Sequence, residues 1–159
     1  MEEIFITTQI NCSPQIVFDL SRSINLHLVS TAKTGEEAVA GVTNGLINID
    51  EEVTWKARHL FKTRFFTSRI TDMQPPLYFK DEMQKGDFKK FIHEHFFNQN
   101  EAGTLMKDKI LLQSPYGLAG KLADKVFLKN YIRNFLIERN AIIKYYAETG
   151  EWKKILQHT

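Results

Sequence analysis

Apolar and polar positions change rhythm several times along this chain. Residues 3–10, EIFITTQI, read as a strand. In NCSPQIVFDLS the spacing becomes helical: Ser13 is a capping residue, Pro14 suits the first helical position, and Ile16, Val17 and Leu20 share an apolar side. A second short helix is expected within SINLHLVST. KTGEEAVAGVTNG is glycine-rich and weakly periodic, so it reads as turns around a short strand. From Leu46 to Ser114, strand-length runs alternate with turn signals, giving strands near 51–60, 62–73, 77–85, 89–98 and 104–113. The turns at Leu60–Lys62, Gln74-Pro75-Pro76, Gly86-Asp87 and Asn98–Gly103 are short, which means sequential antiparallel hairpins.

After Ser114-Pro115-Tyr116-Gly117 the 3.6-residue period returns, and 118–147 is a long helix candidate. Lys121, Lys125, Lys129, Arg133 and Lys144 fall on one side, with Ala123, Phe127, Tyr131, Phe135, Ile142 and Tyr145 roughly opposite. Residues 149–159 form a short extension to a single domain spanning 1–159. An antiparallel sheet with one apolar face needs a cover, and the long helix is the element that can supply it. A strongly curved sheet wrapped around that helix leaves space between them.

Strand alternation then assigns faces. Val53, Trp55, Ala57 and His59 form one set, Phe79, Asp81 and Met83 another, and Met106, Asp108, Ile110 and Leu112 a third. Their lysine- and glutamate-bearing counterparts belong in water, so these sets point inward. In 89–98 both sets contain apolar residues, and hairpin register decides. A turn at Asp87 sets Asp81 opposite His93 and Met83 opposite Phe91. Closure near 100–101 sets His93 beside Asp108 and His95 beside Met106. Trp55 aligns with Phe66 and Val53 with Ser68, with Ser68 next to Asp81. Two rows are therefore expected on the concave face: an apolar one of Trp55, Phe66, Met83, Phe91 and Ile110, and a polar one of Ser68, Asp81, His93 and Asp108 flanked by His95.

The words INLHLVST (24–31), GEEAVAGVTNGLI (35–47), EEVTWKARH (51–59), TSRIT (67–71), FKDEM (79–83), HEHFF (93–97), GTLMKD (103–108) and GLAGKLAD (117–124) carry a resemblance. In this order they resemble the START-related helix-grip superfamily, SRPBCC, and within it an uncharacterised bacterial branch described as polyketide cyclase/dehydrase-like or cell-division-inhibitor-like. The resemblance implies an α+β helix-grip fold. A curved seven-stranded antiparallel sheet would grip a long C-terminal helix, with two short helices after strand 1. It also implies a cavity that often holds a lipid, sterol, polyketide or other apolar molecule. It implies little about activity, because fold and function are separable.

Composition removes several alternatives. The 21 basic and 19 acidic residues balance to a net +2, so no nucleic-acid partner is expected. One cysteine excludes an internal disulfide framework. MEEIFITTQI lacks a basic, apolar leader and no run approaches ~20 apolar residues, so a cytoplasmic location without stable membrane insertion is expected. The basic stripe on the long helix reads as its solvated side.

The histidines carry the candidate chemistry. His59, His93 and His95, with Asp81 or Asp108, have donor atoms for a metal, zinc first among them. No H-E-x-x-H or CxxC pattern accompanies them, so neither metal nor cofactor is expected. The leading expectation is a carrier or sensor for a small apolar or amphipathic molecule. Trp55, Phe66, Met83, Phe91, Tyr131 and Phe135 would form its wall, and Asp81, His93, His95 and Asp108 its polar anchor. His27 is placed at the cavity mouth, and His59, Ser68, Met106, Ile110 and Asn134 complete the candidate lining. The alternative is a cyclase, dehydratase or hydrolase using His93 between Asp81 and Asp108 for acid–base work.

Overall fold

The computed structural model describes residues 1–59, 61–114 and 127–157, with the side chain of His59 outside the description. Strand β1 (Glu2–Ile10) leads into α1 (Pro14–Ser21) and α2 (Ile24–Ser30). Pro14 opens α1 as expected, although the Ser13 side chain makes no capping bond. At α2 the Ser23 side chain accepts from the Leu26 amide, satisfying an amide that the first helical turn leaves open. A single 3₁₀ turn (Ala32–Thr34) precedes β2 (Glu37–Gly41). Then follow β3 (Glu52–His59), β4 (Lys62–Gln74), β5 (Tyr78–Lys85), β6 (Lys90–Asn100) and β7 (Gly103–Gln113). The long helix α3 spans Lys129–Thr149, and α4 spans Trp152–Leu156.

All seven strands join one antiparallel sheet in the order β1-β7-β6-β5-β4-β3-β2. The first strand therefore pairs with the last, and consecutive hairpins fill the rest. Helix α3 packs against β1, α1 and α2. Its start at 118 in the sequence reading, with Lys121, Ala123 and Lys125, lies outside the described residues. Its end runs two residues past the expected 147, to Gly150 in the left-handed region (φ 79°).

The alternation of faces holds across the sheet. Val53, Trp55, Ala57, Phe79, His93, His95, Phe97, Met106, Asp108, Ile110 and Leu112 are all buried. Two registers differ from expectation, each by two residues. His93 pairs with Ile110 and His95 with Asp108, because the β6–β7 turn closes between Asn100 and Gly103. Ser68 lies opposite Met83 rather than beside Asp81, which pairs with Ile70; irregularities interrupt β4 on both sides of this stretch. Asp81 opposite His93, Trp55 opposite Phe66 and Val53 opposite Ser68 are as expected. An even slip preserves the face but breaks the rows, so the two predicted rows do not form.

The core divides in two. One cluster gathers Phe18, Phe79, Phe97, Met106 and Ile143, with Phe18 edge-on to Phe79 at 5.6 Å and to Phe97 at 5.4 Å. Truncating a ring so deeply packed costs about 3–5 kcal/mol. The second cluster joins Ile4, Ile6, Ile110 and Leu112 to Ile132 and Leu136 of α3. The buried stripe of α3 is Ile132, Leu136, Arg139, Asn140, Ile143 and Ala147. This corrects the expected apolar side: Phe127 and Tyr145 are exposed. Three of the basic residues, though still partly exposed as expected of a solvated side, also hold β1. Lys129 reaches Glu2 at 3.7 Å, Arg133 donates to the Phe5 carbonyl at 3.1 Å, and Lys144 donates to the Gln9 carbonyl at 2.6 Å.

Candidate functional site

A cavity of about 450 Å³ lies between the inner face of the sheet and α3. Strands β3 and β4 supply Val53, Trp55, Ala57, Phe66, Ser68 and Ile70, and β5 and β6 supply Phe79, Asp81, Phe91, His93 and His95. Helix α3 supplies Tyr131, Ile132, Phe135, Leu136 and Arg139, while Ser21 and His27 come from the short helices. Of the candidate residues, His27, Trp55, Phe66, Ser68, Asp81, Phe91, His93, His95, Tyr131 and Phe135 face this cavity.

Others do not. Met106 is wholly buried in the first core cluster, where its sulfur accepts from the Ser21 hydroxyl at 3.6 Å. Ile110 belongs to the second core cluster. The Met83 sulfur lies against Gly86. Asn134 lines a separate recess of about 210 Å³ beside Lys33 and Glu138. Asp108 is buried behind the histidines, out of the cavity lining. The His59 backbone closes β3 opposite Lys62, and its side chain lies outside the described residues.

The polar cluster is built by three adjacent strands. Asp81 on β5, His93 and His95 on β6, and Asp108 on β7 project from one face. His93 donates from Nε2 to Asp108 Oδ1 at 2.8 Å, and His95 donates from Nε2 to Asp81 Oδ2 at 2.9 Å. Both are diagonal contacts, reaching past the directly opposed residue. His95 Nδ1 lies 3.2 Å from Asp108 Oδ1 without forming a hydrogen bond, and His93 Nδ1 lies 4.0 Å from Asp81 Oδ2. The imidazoles are 3.7 Å apart between centroids, and His95 stacks on Phe79 at 4.0 Å. One donor atom from each of Asp81, His93 and His95 lies within 4.8 Å of the other two, which is a donor set able to hold a metal ion.

Helix α3 completes the network. Asn140 donates to Asp108 Oδ2 at 2.6 Å and to the Thr8 hydroxyl at 3.3 Å. The buried Arg139 donates to the carbonyl of Ser21, the last residue of α1, at 2.9 Å, where a cation also suits the helix dipole. Burial opposes charge throughout, and opposite charges answer it. Despite burial, the hydrogen bond from His93 and the nearby His95 imidazole hold the Asp108 carboxyl well below the usual range. Asp81 is likewise held low, by His95 and His93 against burial. Burial works against charge on His95 too, but Asp108 and Asp81 raise it. For His93, burial and the charge of His95 prevail and push it down. Burial also lowers Arg139, with Asp108, Asp81 and Glu36 pulling the other way.

A second imidazole–carboxylate pair stands elsewhere on the cavity wall. His27 donates from Nε2 to Glu36 Oε2 at 2.6 Å and stacks on Trp55 at 4.0 Å. Arg139, Asn140 and Glu36 were all missed in the sequence. Arg139 and Asn140 were findable: Ile132, Leu136, Ile143 and Ala147 form a helical stripe with 139 and 140 at its centre. Glu36 has no such signal, because it sits in a loop nine residues from its partner.

Comparison with solved structures places the architecture. TTHA0849 from Thermus thermophilus superposes with a TM-score of 0.74 at 14% identity, covering 92% of this chain and 97% of that one. Ginseng major latex-like protein 151 from Panax ginseng gives 0.69 at 13% identity, over 92% and 97%. The solution structure of the KanY protein gives 0.67 at 13% identity, over 92% and 99%. No family model matches the chain, and no curated protein matches it significantly. At these identities the likeness concerns the fold alone: the chain has the α+β helix-grip architecture, a seven-stranded antiparallel sheet with a long C-terminal helix.

Proposed function

We propose that this protein binds a small, partly apolar molecule of lipid-, polyketide- or aromatic-like character, as a carrier or sensor. One observation carries the reading: a cavity of about 450 Å³ walled by Trp55, Phe66, Phe91, Tyr131 and Phe135, with Asp81, His93, His95 and Arg139 in its lining. That volume falls within the roughly 300–1,000 Å³ usual for ligand pockets, and a few convergent polar groups in an apolar lining are their usual composition. The rings would take up the ligand's body. The His/Asp cluster would fix its polar end, and the His27–Glu36 pair offers a second polar contact.

Two measurements test this. Native mass spectrometry of protein purified gently from its own host is expected to show a co-purifying molecule. Titration with 1-anilinonaphthalene-8-sulfonate is expected to show a single saturable site. Ala57→Phe puts a ring into the cavity from β3 and is expected to weaken that site at least ten-fold. Failure of the unaltered protein to bind the dye saturably, or binding that ignores Ala57→Phe, refutes the reading.

A further inference from the structure

We propose that Asp81, His93 and His95 form a binding site for one divalent transition-metal ion, with Asp108 as the carboxylate that orients both imidazoles. The sequence offered these donors without a metal motif, so no metal was expected; the proposal reverses that expectation on the arrangement formed where β5, β6 and β7 meet.

The first argument is geometric. His95 Nε2 and His93 Nδ1 lie 2.9 and 4.0 Å from the same oxygen, Asp81 Oδ2. Metal–ligand bonds of about 2.0–2.1 Å at tetrahedral angles separate neighbouring donor atoms by roughly 3.3 Å. The two observed distances bracket that value, and the donor atoms of all three residues lie within 4.8 Å of one another. Two imidazoles and one carboxylate are a recurrent set for zinc and for other divalent transition ions, and they leave a coordination position open. All three residues line the cavity, so the open position faces it.

The second argument counts protons. A neutral imidazole has one N–H and one lone pair. His93 uses its Nε2 hydrogen on Asp108, which leaves the Nδ1 lone pair directed toward Asp81. His95 uses its Nε2 hydrogen on Asp81, which leaves Nδ1 buried, 3.2 Å from Asp108 Oδ1 and without a hydrogen-bond partner. An acceptor then faces an acceptor unless a second proton enters. A cation beside Asp81 resolves both positions at once. His95 moves its hydrogen to Nδ1 and donates to Asp108, as His93 already does from Nε2. His95 Nε2, His93 Nδ1 and Asp81 then turn lone pairs on the metal. An outer carboxylate that receives the second N–H of ligating histidines is the usual support of such sites. Asp108 is itself fixed by Asn140 at 2.6 Å. A metal ion requires both imidazoles to be neutral, displacing any second proton from His95, and two carboxylates against Arg139 then leave the pocket net negative, which favours a cation.

The test uses the full chain stripped of metal by chelator dialysis, with no organic ligand present, so its outcome is independent of the cavity-binding reading. Titration with Co²⁺ is expected to develop visible ligand-field bands that saturate at one equivalent, and Zn²⁺ is expected to displace them. Asp81→Asn preserves side-chain volume and is expected to weaken Co²⁺ binding by ten-fold or more. Asp108→Asn keeps all three ligands and is expected to weaken it by about 10–100-fold. A readout on the unaltered protein guards against misfolded variants: on adding Zn²⁺, ¹⁵N spectra of the imidazoles should shift His93 at Nδ1 and His95 at Nε2. Absence of saturable Co²⁺ uptake, uptake indifferent to Asp81→Asn, or unmoved His93 and His95 resonances overturns the proposal.

Discussion

Asn140 is among the most tightly buried polar side chains of the described residues, and it spends its amide on Asp108. Replacing it with leucine keeps the volume but leaves Asp108 Oδ2 buried without that donor. A hydrogen bond to a charged group is worth about 1.5–3 kcal/mol, so Asn140→Leu should lower unfolding free energy by about 2 kcal/mol in urea titrations. A variant as stable as the parent would show that Asp108 does not depend on α3. At this scale the sequence was uneven. Asp81, His93, His95 and Asp108 were legible as one inward set, because alternation has period two and both register errors were even. Arg139 and Asn140 were findable but missed, because neighbouring residues on a helix point about 100° apart and the wrong stripe was taken as buried. Choosing Tyr131 and Phe135 rather than Ile132 and Leu136 as the centre of the buried stripe was enough to put both outside. Charge alone also argued for water, since a buried arginine is rare without partners that sequence does not reveal.

Hairpins were the elements easiest to read, and their registers the hardest. The β6–β7 turn shows why. Gly103 sits at φ 113°, and a Cβ there would run into the Ile10 carbonyl oxygen and lie 2.7 Å from the Cys12 amide nitrogen. The backbone between β1 and α1 thus presses on the turn from outside the hairpin, and no local rule of turn chemistry contains that contact. Gly103→Ala combines a disfavoured φ with a backbone clash, each a recognised source of strain, and should cost about 2–3 kcal/mol. Thermal unfolding would check it: an unchanged midpoint would mean that the turn has slack to move. Met83 illustrates the companion error. It lies on the inward set, yet its sulfur lies against Gly86 instead of entering the cavity, a side-chain choice that alternation cannot foresee.

For the molecule as a whole, the order of elements carried the architecture, since one long helix after a run of hairpins has few ways to cover them. The cavity was a consequence of shape, and its extent depends on ring volumes and helix placement that no linear pattern states. The contacts of α3 with β1 reach further. Arg133 and Lys144 occupy the carbonyls of Phe5 and Gln9 on a strand that borders the sheet, whose opposite border is the five-residue β2, with a register shift between Ala38 and Ala40. Exposed strand borders template further pairing. Here cations hold two carbonyls of one border and the other is short and uneven, so both are poor templates for strand-to-strand docking between copies. A strand-docked filament needs two adhesive borders on every subunit, and the capping of one works against it. Removing both cations, as in R133A/K144A, should restore the second border, and larger, concentration-dependent species should then appear in sedimentation velocity.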